Sequence, residues 1–279
     1  MNGIESSTSK AWDVIVKIFI VVIAVLFALP LYIVLINVFK TSSLIVASPF
    51  SFPIPPTLDN LKTAIANPNI NLLEMYGNSF CITFFGAGFC LLFSSMAGYY
   101  VARSKSKLAQ ALFLYFILGL MVPYAIVYVP LVSIYKGTFI VGTLPGLICI
   151  FISGSLSFAI FMYQGFVRGV PIELEEAATI DGANQSTIFF RVIFPLLKPC
   201  TAAVAIFTGV SMWNDFLTPL LIGQVKTITV GIYTAIGPYS ADWGSVFAYV
   251  LLATIFIVVA YIALQKQFIS GLVSGAVKG

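Results

Sequence analysis

The chain has 279 residues, of which 60% are hydrophobic and only 9% are charged. A soluble domain is about half apolar and about a quarter charged, so this composition excludes an ordinary soluble fold and predicts lipid as the solvent. The net charge of +4 is too small to indicate a nucleic-acid partner. Histidine, the commonest general base and metal ligand, is absent, and we predict neither catalytic residues nor a metal site.

Six segments are long and apolar enough to cross a membrane, since a spanning helix needs about 20 mostly apolar residues. The sequence therefore predicts an all-α integral membrane protein with six transmembrane helices. The first segment is too long for a cleaved signal peptide. Pro30, Pro123, Pro130 and Pro145 lie within or at the edges of the segments and predict kinks. The segments are residues 15–39, 77–102, 108–134, 142–167, 199–222 and 244–264.

The four cysteines lie in or beside apolar stretches and show no CxxC spacing. We therefore predict that they are small core side chains rather than redox or metal-binding groups. They are Cys81, Cys90, Cys149 and Cys200.

The distribution of lysine and arginine predicts the orientation in the membrane. If both termini are cytoplasmic, ten of the 14 basic residues lie on the inside, which is the bias that the positive-inside rule expects. Residues 1–14 and the tail 265–279 are then cytoplasmic, and so is the connection 168–198.

The main external connections are then residues 40–76 and 223–244. In the first, SPFSFPIPPTLDN is punctuated by proline and predicts an extended chain, and LKTAIAN after it predicts a short amphipathic helix. The second connection carries aromatic residues, which either form an interfacial belt or contact a partner or substrate.

The cytoplasmic connection concentrates acid in one alanine-rich stretch, which holds four of the ten carboxylates of the chain. The helix dipole favours carboxylates in a first turn, and Pro171 suits the first helical position. The stretch therefore predicts a helix of about ten residues, which Gly182 ends. The four acids are Glu173, Glu175, Glu176 and Asp181.

A second short helix is predicted in TIFFRVIF, after a cap at Asn184 or Ser186 and before a bend at Pro195. The two helices together indicate either a docking element for a groove in another chain or a solvated acidic loop. A metal site or a glycosidase carboxylate pair is disfavoured, because histidine and an evident cavity are both absent.

The sequence contains no GxxxxGKS or GxxxxGKT loop, so it lacks the usual phosphate-binding loop of an ATPase. An ion-coupled carrier would bury ionisable residues along its path, yet the span interiors are almost free of charge. Asp215 is the exception, and with its neighbours it either contacts a sugar or pairs with another helix to fix the bundle. The substrate-path candidates are Trp213, Asn214, Asp215 and Phe216.

The stretch EAATIDGANQSTIFFRVIFP, residues 176–195, resembles the EAA signature of permease subunits in ABC import systems. EAA is followed after three residues by Gly182, after nine more by Val192, and after one more by Phe194 and Pro195. The family more often has isoleucine and leucine where this chain has Val192 and Phe194, which is a mild departure.

The resemblance covers most of the chain and is closest to carbohydrate importers of the maltose type. It implies the type I ABC importer permease fold, with a core domain from about residue 70 to 265. The similar stretches are FALPLYIVLINVFK, FPIPPTLDNL, NSF with GYYVARS, MVPYAIVYVPL, WNDFLTPL and the tail GLVSGAVKG.

The resemblance also implies which residues meet an ATPase subunit. A coupling helix would sit in a cleft of the ATPase, and the C-terminal tail would reach the ATPase dimer. The implied ATPase-coupling residues are Glu173, Glu176, Ala177, Ala178, Asp181, Gly182 and Ala183 in the acidic stretch, and Gly271, Gly275 and Lys278 in the tail.

The function so implied is that of a non-enzymatic permease subunit in a bacterial or archaeal cytoplasmic membrane. The expected partners are a second permease chain (usually related but different), two ATPase subunits, an extracytoplasmic solute-binding protein and a carbohydrate. The chain would bind no cofactor, since ATP and Mg belong to the ATPase. The alternatives are an importer of glycerol-3-phosphate or a polyol in the same family, an ATP-independent secondary transporter, and a membrane anchor or sensor.

Overall fold

The computed structural model describes residues 4–67, 71–138, 141–236 and 242–276. Across these residues the structure contains helices and no strand. The helix predicted in LKTAIAN is α3. The helices are α1 (Ile4–Val38), α2 (Ser42–Ala47), α3 (Asp59–Ala66), α4 (Leu72–Arg103), α5 (Lys107–Met121), α6 (Tyr124–Tyr135), α7 (Leu144–Arg168), α8 (Glu173–Ile180), α9 (Gln185–Thr187), a π-helical segment (Ile188–Ile193), α10 (Phe194–Leu196), α11 (Lys198–Asn214), a second π-helical segment (Pro219–Gly223), α12 (Ile228–Ala235) and α13 (Trp243–Ala276).

Four of these helices contain a candidate membrane span on their own. Two further candidates are helix pairs with a sharp bend, of 111° between α5 and α6 and of 76° between the α9–α10 region and α11. The described part of the chain thus contains four candidate spans, or up to six if each bent pair is one span. The four single spans are Trp12–Val38, Leu72–Arg103, Leu144–Arg168 and Trp243–Ala263.

The predicted span 108–134 is broken at Pro123. Val122 and Pro123 separate α5 from α6, and Pro123 is the N-cap residue of α6. Proline disfavours the α conformation in the residue before it, and Val122 accordingly has an extended ψ of 117°. Pro145 behaves differently, because it lies in the first turn of α7, where a missing N–H costs nothing. It therefore starts a helix, and the kink predicted there is wrong.

The predicted span 199–222 is also interrupted. The helix α11 ends at Asn214, and the π-helical segment begins only at Pro219. Between them the carboxylate of Asp215 accepts the backbone N–H of Thr218 at 3.0 Å and its hydroxyl at 2.6 Å. This is the geometry of a helix N-cap, so the charge within the span marks a new helix start rather than the interior of a continuous helix.

The described chain divides into two compact units, which are Met1–Asn71 with Thr234–Thr254, and Leu72–Tyr233 with Ile255–Gly279. The long helix α13 therefore contributes its first part to one unit and its remainder to the other.

In the first unit, buried polar side chains close the C-terminal end of α1, whose last carbonyls have no intrahelical partner. The side-chain amide of Asn60 donates to the carbonyls of Val38 at 2.9 Å and Lys40 at 2.7 Å. The ammonium of Lys40 donates in turn to the carbonyls of Ser48 at 2.8 Å and Pro49 at 3.2 Å. Lys40 is fully buried, and this burial lowers the pKa of its ammonium. These bonds hold the proline-containing loop against the end of α1.

In the second unit, α4 packs along α7 at a point where only glycine fits. A Cβ atom at Gly98 would lie 2.6 Å from the Cβ of Tyr163 and 3.1 Å from the backbone nitrogen of Gln164. Small residues allow such close approach of membrane helices. Tyr163 is fully buried, and it belongs to the main hydrophobic core cluster of this unit. The core is therefore built around the contact between α4 and α7.

The prediction for the cysteines is correct for two of the four. Cys90 and Cys200 are fully buried in the core cluster around Tyr163, whereas Cys81 is half-buried and Cys149 is exposed. A small apolar side chain on the outside of a membrane bundle meets lipid or another chain, so its exposure carries no desolvation cost.

We expect Gly98→Ala to destabilise the protein, although alanine is the better helix former. The new methyl group would collide with Tyr163, and such overpacking costs about 1–3 kcal/mol in free energy of unfolding. The loss of stability is measured by thermal unfolding in detergent. Unfolding is monitored by the reaction of a maleimide dye with Cys90 and Cys200, which are buried in the folded protein. The control is Gly88→Ala on the same helix, because nothing lies within 4 Å of a Cβ atom there. Equal unfolding midpoints for the two variants would contradict the close packing of α4 on α7.

Candidate functional site

The acidic stretch forms α8, which has eight residues rather than the predicted ten or so. It begins at Glu173, two residues after Pro171, and its N-cap residue Ile172 makes no side-chain capping bond. Three acids lie in the first turn, where the helix dipole favours negative charge. The acids therefore supply the stabilisation that a capping side chain would otherwise give.

The helix α8 ends at a left-handed glycine, as predicted. Gly182 has φ +83°, and its N–H donates to the carbonyl of Thr179 at 3.0 Å, while the N–H of Ala183 donates to the carbonyl of Ala178 at 3.0 Å. This pair of bonds is a Schellman motif, in which glycine is favoured because φ is positive. Ala178 and Ala183 both pack against the core cluster of the second unit. The motif thus attaches the C-terminal end of α8 to the bundle.

The two sides of α8 have different surroundings. Four of its residues recur at the i, i+3, i+4 and i+7 positions of one helix face, and all four are exposed. Asp181 and Gly182, which follow the helix, are exposed as well. The large apolar side chain of Ile180 is 87% exposed. We call this set of helical residues the outer face: Glu173, Glu176, Ala177 and Ile180.

Glu175 is turned toward the bundle instead. Its Oε1 accepts from Nε of Arg103 at 2.6 Å, and its Oε2 accepts from the hydroxyl of Tyr99 at 2.7 Å. Nη2 of Arg103 also donates to the carbonyl of Val170 at 2.8 Å. The side chains of Arg103 and Glu175 are only 18% and 13% exposed. We call Glu175, Arg103 and Tyr99 the Glu175 clamp.

The partial burial makes the Glu175 clamp stronger than a surface ion pair. Exposed pairs contribute at most about 1 kcal/mol, whereas removing one partner of a buried pair costs about 3–5 kcal/mol. A half-buried pair with two further hydrogen bonds falls between these limits, at roughly 2 kcal/mol.

The Glu175 clamp was not predicted from the sequence. In the sequence, Arg103 counts only as one of ten cytoplasmic charges and Glu175 as one of four acids, although Arg103 is the penultimate residue of the quoted stretch GYYVARS. A helical-face analysis gives a usable signal, because Glu175 and Glu176 are neighbours in sequence and therefore lie about 100° apart around the helix. The two carboxylates therefore point to different surroundings, and different partners are expected for them.

The segment after α8 anchors it to the next span. Oδ1 of Asn184 accepts the N–H of Thr187 at 2.8 Å, so of the two predicted caps it is Asn184 that starts α9. The chain then passes through the first π-helical segment, against which α8 packs, and bends by 76° into α11 close to the predicted Pro195. The side chains of Ile188, Phe189 and Ile193 are buried.

The substrate-path candidates lie at the break in the fifth predicted span, where they have different environments. Trp213 is only 2% exposed, and its indole stacks on the ring of Phe256 with centroids 3.9 Å apart. Phe216 is half-buried and stacks on Tyr233 at 5.5 Å. Asn214 is exposed. The aromatic surface of Trp213 is therefore used in packing.

Asp215 is held by several elements of the second unit. Besides its bonds to Thr218, its Oδ2 lies 3.5 Å from the hydroxyl of Tyr128, and Tyr128 lies 3.1 Å from the hydroxyl of Thr218. The hydroxyl of Thr229 donates to the carbonyl of Asp215 at 3.0 Å. These contacts join α6 and α12 to the break after α11, and they are what the bundle-fixing interpretation requires.

The candidates in the C-terminal tail belong to the end of α13. This helix continues to Ala276, beyond the predicted end of the last span at residue 264. Gly271 and Gly275 lie within it, and Lys278 lies outside the described residues. Contact of this tail with an ATPase stays a prediction.

We expect Asp215→Ala to lower the free energy of unfolding by about 1–2 kcal/mol, because the helix after the break loses its cap. Asp215→Asn retains an acceptor oxygen for the N–H of Thr218, and we expect its stability to be close to that of the unchanged protein. The maleimide unfolding assay measures both variants. Loss of transport by Asp215→Asn at unchanged stability would instead indicate that the carboxylate acts on the substrate path.

Comparison with known proteins agrees with this architecture. Residues 91–268, more than half of the chain, match the family described as binding-protein-dependent transport system inner membrane component. The multiple sugar-binding transport system permease protein MsmG of Streptococcus mutans is 33% identical over 261 residues, which are 91% of this chain and 93% of MsmG. The melibiose/raffinose/stachyose import permease protein MelC of Bacillus subtilis is 35% identical over 269 residues, which are 95% of this chain and 96% of MelC.

One solved structure with a similar fold is a chain of a bacterial ABC transporter involved in the import of the acidic polysaccharide alginate. Its TM-score is 0.80, and the match covers 94% of this chain and 98% of that chain, at 16% sequence identity. At that identity the likeness concerns the fold alone. It confirms the predicted fold class, an all-α membrane protein with the fold of ABC importer permeases. The chain belongs to the family of binding-protein-dependent transport system inner membrane components, which are multi-pass transport permeases.

Proposed function

We propose that this chain is one permease subunit of an ATP-driven ABC importer and forms half of the transmembrane pathway for a carbohydrate. The substrate class is supported by the relatives MsmG and MelC, which are named for sugar transport and match nearly the whole chain. These relatives do not favour a glycerol-3-phosphate or polyol importer, nor an ATP-independent secondary transporter. Transport proceeds by alternating access, in which the spans reorient around the solute.

The observation that carries the proposal is the outer face of α8. It combines two carboxylates and a small alanine with Ile180, whose side chain is 87% exposed. A helix whose free face carries small and apolar side chains between acids suits a groove in another protein. We assign the groove to an ATPase subunit, so that closure of the ATPases moves α8.

The rest of the assembly follows from this assignment. It contains a second permease chain, related but not identical, two ATPase subunits and an extracytoplasmic binding protein. ATP and Mg are bound by the ATPases, and this chain binds no cofactor. The bias of lysine and arginine supports a cytoplasmic position for both termini and for α8, in a bacterium or archaeon. The connections 40–76 and 223–244 then face the binding protein.

We expect Glu176→Lys to abolish ATP-driven sugar uptake and to weaken attachment of the ATPase. Glu176 is exposed on the outer face, so reversal of its charge changes the docking surface without disturbing the fold. Co-purification of the ATPase and uptake into vesicles measure the two effects. The control is Asp13→Lys, the same reversal of charge at another exposed residue on the predicted cytoplasmic side. Normal uptake by Glu176→Lys would contradict the assignment of the outer face.

A pull-down of this chain from its native membrane in mild detergent tests the assembly directly. We expect a P-loop ATPase and a second six-span chain to co-purify. A chain that forms half of the pathway and does not bind ATP cannot import the solute by itself. The ligand found in the associated binding protein then identifies the sugar. Recovery of this chain alone, still transporting in vesicles without ATP, would contradict the proposal and favour a secondary transporter.

A further inference from the structure

Binding of the ATPase to the outer face explains how α8 is moved. How this movement is transmitted to the spans is a separate problem, which concerns the side of α8 that faces the bundle. Two attachments join α8 to the bundle. One is apolar and runs through Ala178 and Ala183 to the core cluster and the segment before α11. The other is ionic and runs through Glu175 to Arg103 and Tyr99 at the end of α4.

The ionic attachment connects α8 directly to α4. The backbones of these two helices are hardly in contact, so a shift of α8 reaches α4 chiefly through side chains. Arg103 bridges three points, because it is the last residue of α4, binds Glu175 of α8, and donates to the carbonyl of Val170 just before α8. Tyr99 holds the second carboxylate oxygen one helical turn earlier on α4.

The helix α4 is well placed to carry such a movement. It has 32 residues and is therefore about 48 Å long, which exceeds the thickness of the hydrocarbon core of a bilayer. Its contact with α7 at Gly98 lies about one and a half turns from Arg103. The two helices have no room to slip there, because a single added methyl group would collide with Tyr163. A displacement applied at the clamp therefore moves both α4 and α7.

We propose that Arg103 and Tyr99 are positioning residues that couple α8 to α4 by fixing the carboxylate of Glu175. This inference rests on the proposed function, since it assumes that an ATPase moves α8. In it, the outer face of α8 binds the ATPase, and the Glu175 clamp converts the movement of α8 into reorientation of the spans. Loss of the clamp then leaves a complex that assembles and hydrolyses ATP but transports little.

The test uses the complete complex, reconstituted in vesicles with its ATPase, second permease chain and binding protein. The readout is the amount of sugar imported per ATP hydrolysed, which a change in the quantity of folded complex does not alter. We expect Glu175→Gln and Arg103→Gln to lower this ratio by roughly tenfold while ATPase attachment and ATP hydrolysis per complex persist. Tyr99→Phe lowers the ratio less, because the ion pair remains.

Two comparisons make the test specific. Tyr100→Phe is the matched control for Tyr99→Phe, since the neighbouring tyrosine is 50% exposed and lies outside the clamp, and we expect its ratio to be unchanged. Glu176→Lys is the contrast on α8, where we expect weakened attachment of the ATPase. If Arg103→Gln fails to assemble, the milder Glu175→Gln and Tyr99→Phe decide the question.

An unchanged ratio of sugar imported to ATP hydrolysed in Glu175→Gln would overturn the proposed coupling role of the clamp. Loss of ATPase attachment with a normal ratio in the remaining complexes would overturn it as well. In either case the clamp would only shape the docking helix. These outcomes differ from failure of the proposed function, in which the unchanged complex itself shows no ATP-dependent uptake.

Discussion

A backbone group released at the end or break of a helix must find its partner within the protein wherever it is buried away from water. This constraint explains the positions of Asn60, Lys40 and Asp215. Asn60 and Lys40 satisfy the carbonyls at the end of α1 and in the loop after it. Asp215 caps the turn that follows the break after α11. These three polar side chains therefore mark positions where helices begin or end.

A separate constraint gives the two faces of α8 their different roles. A short helix on the membrane surface cannot be stabilised by its own hydrogen bonds alone, so one face must be attached to the bundle. Glu175 and Ala178 make that attachment, and the remaining face is left free for a partner. The EAA sequence is divided by this geometry: Glu176 and Ala177 are exposed, whereas Ala178 packs with Ala183 on the core. Two adjacent alanines, identical in chemistry, thus have different roles.

Features that depend on local sequence could be predicted, and features that depend on distant contacts could not. Hydropathy located the apolar helices, and the positive φ of Gly182 followed from its place after an alanine-rich turn. The break at Asp215 has a local cause, since an aspartate three residues before Thr218 can cap a helix. It was nevertheless missed, because the span was assigned from hydropathy alone. The partner of Glu175 lies 72 residues away in the sequence, and no spacing rule indicates such a pair. The contacts of Glu175 and Ala178 with the bundle could therefore be identified only from the structure.

The two attachments of α8 differ in the forces that they can transmit. Packing of alanine against the core is non-directional, so it resists separation of α8 from the bundle but offers little resistance to sliding. Charge-assisted hydrogen bonds depend on distance and angle, and those of Glu175 to Arg103 and Tyr99 fix the position of α8 along α4. A helix that transmits movement needs both kinds of contact, because a helix held by apolar packing alone would slide along the bundle when it is displaced. The chain combines a small apolar contact that keeps α8 in place with a half-buried carboxylate that fixes its register, and register is what a displacement must preserve to reach the spans.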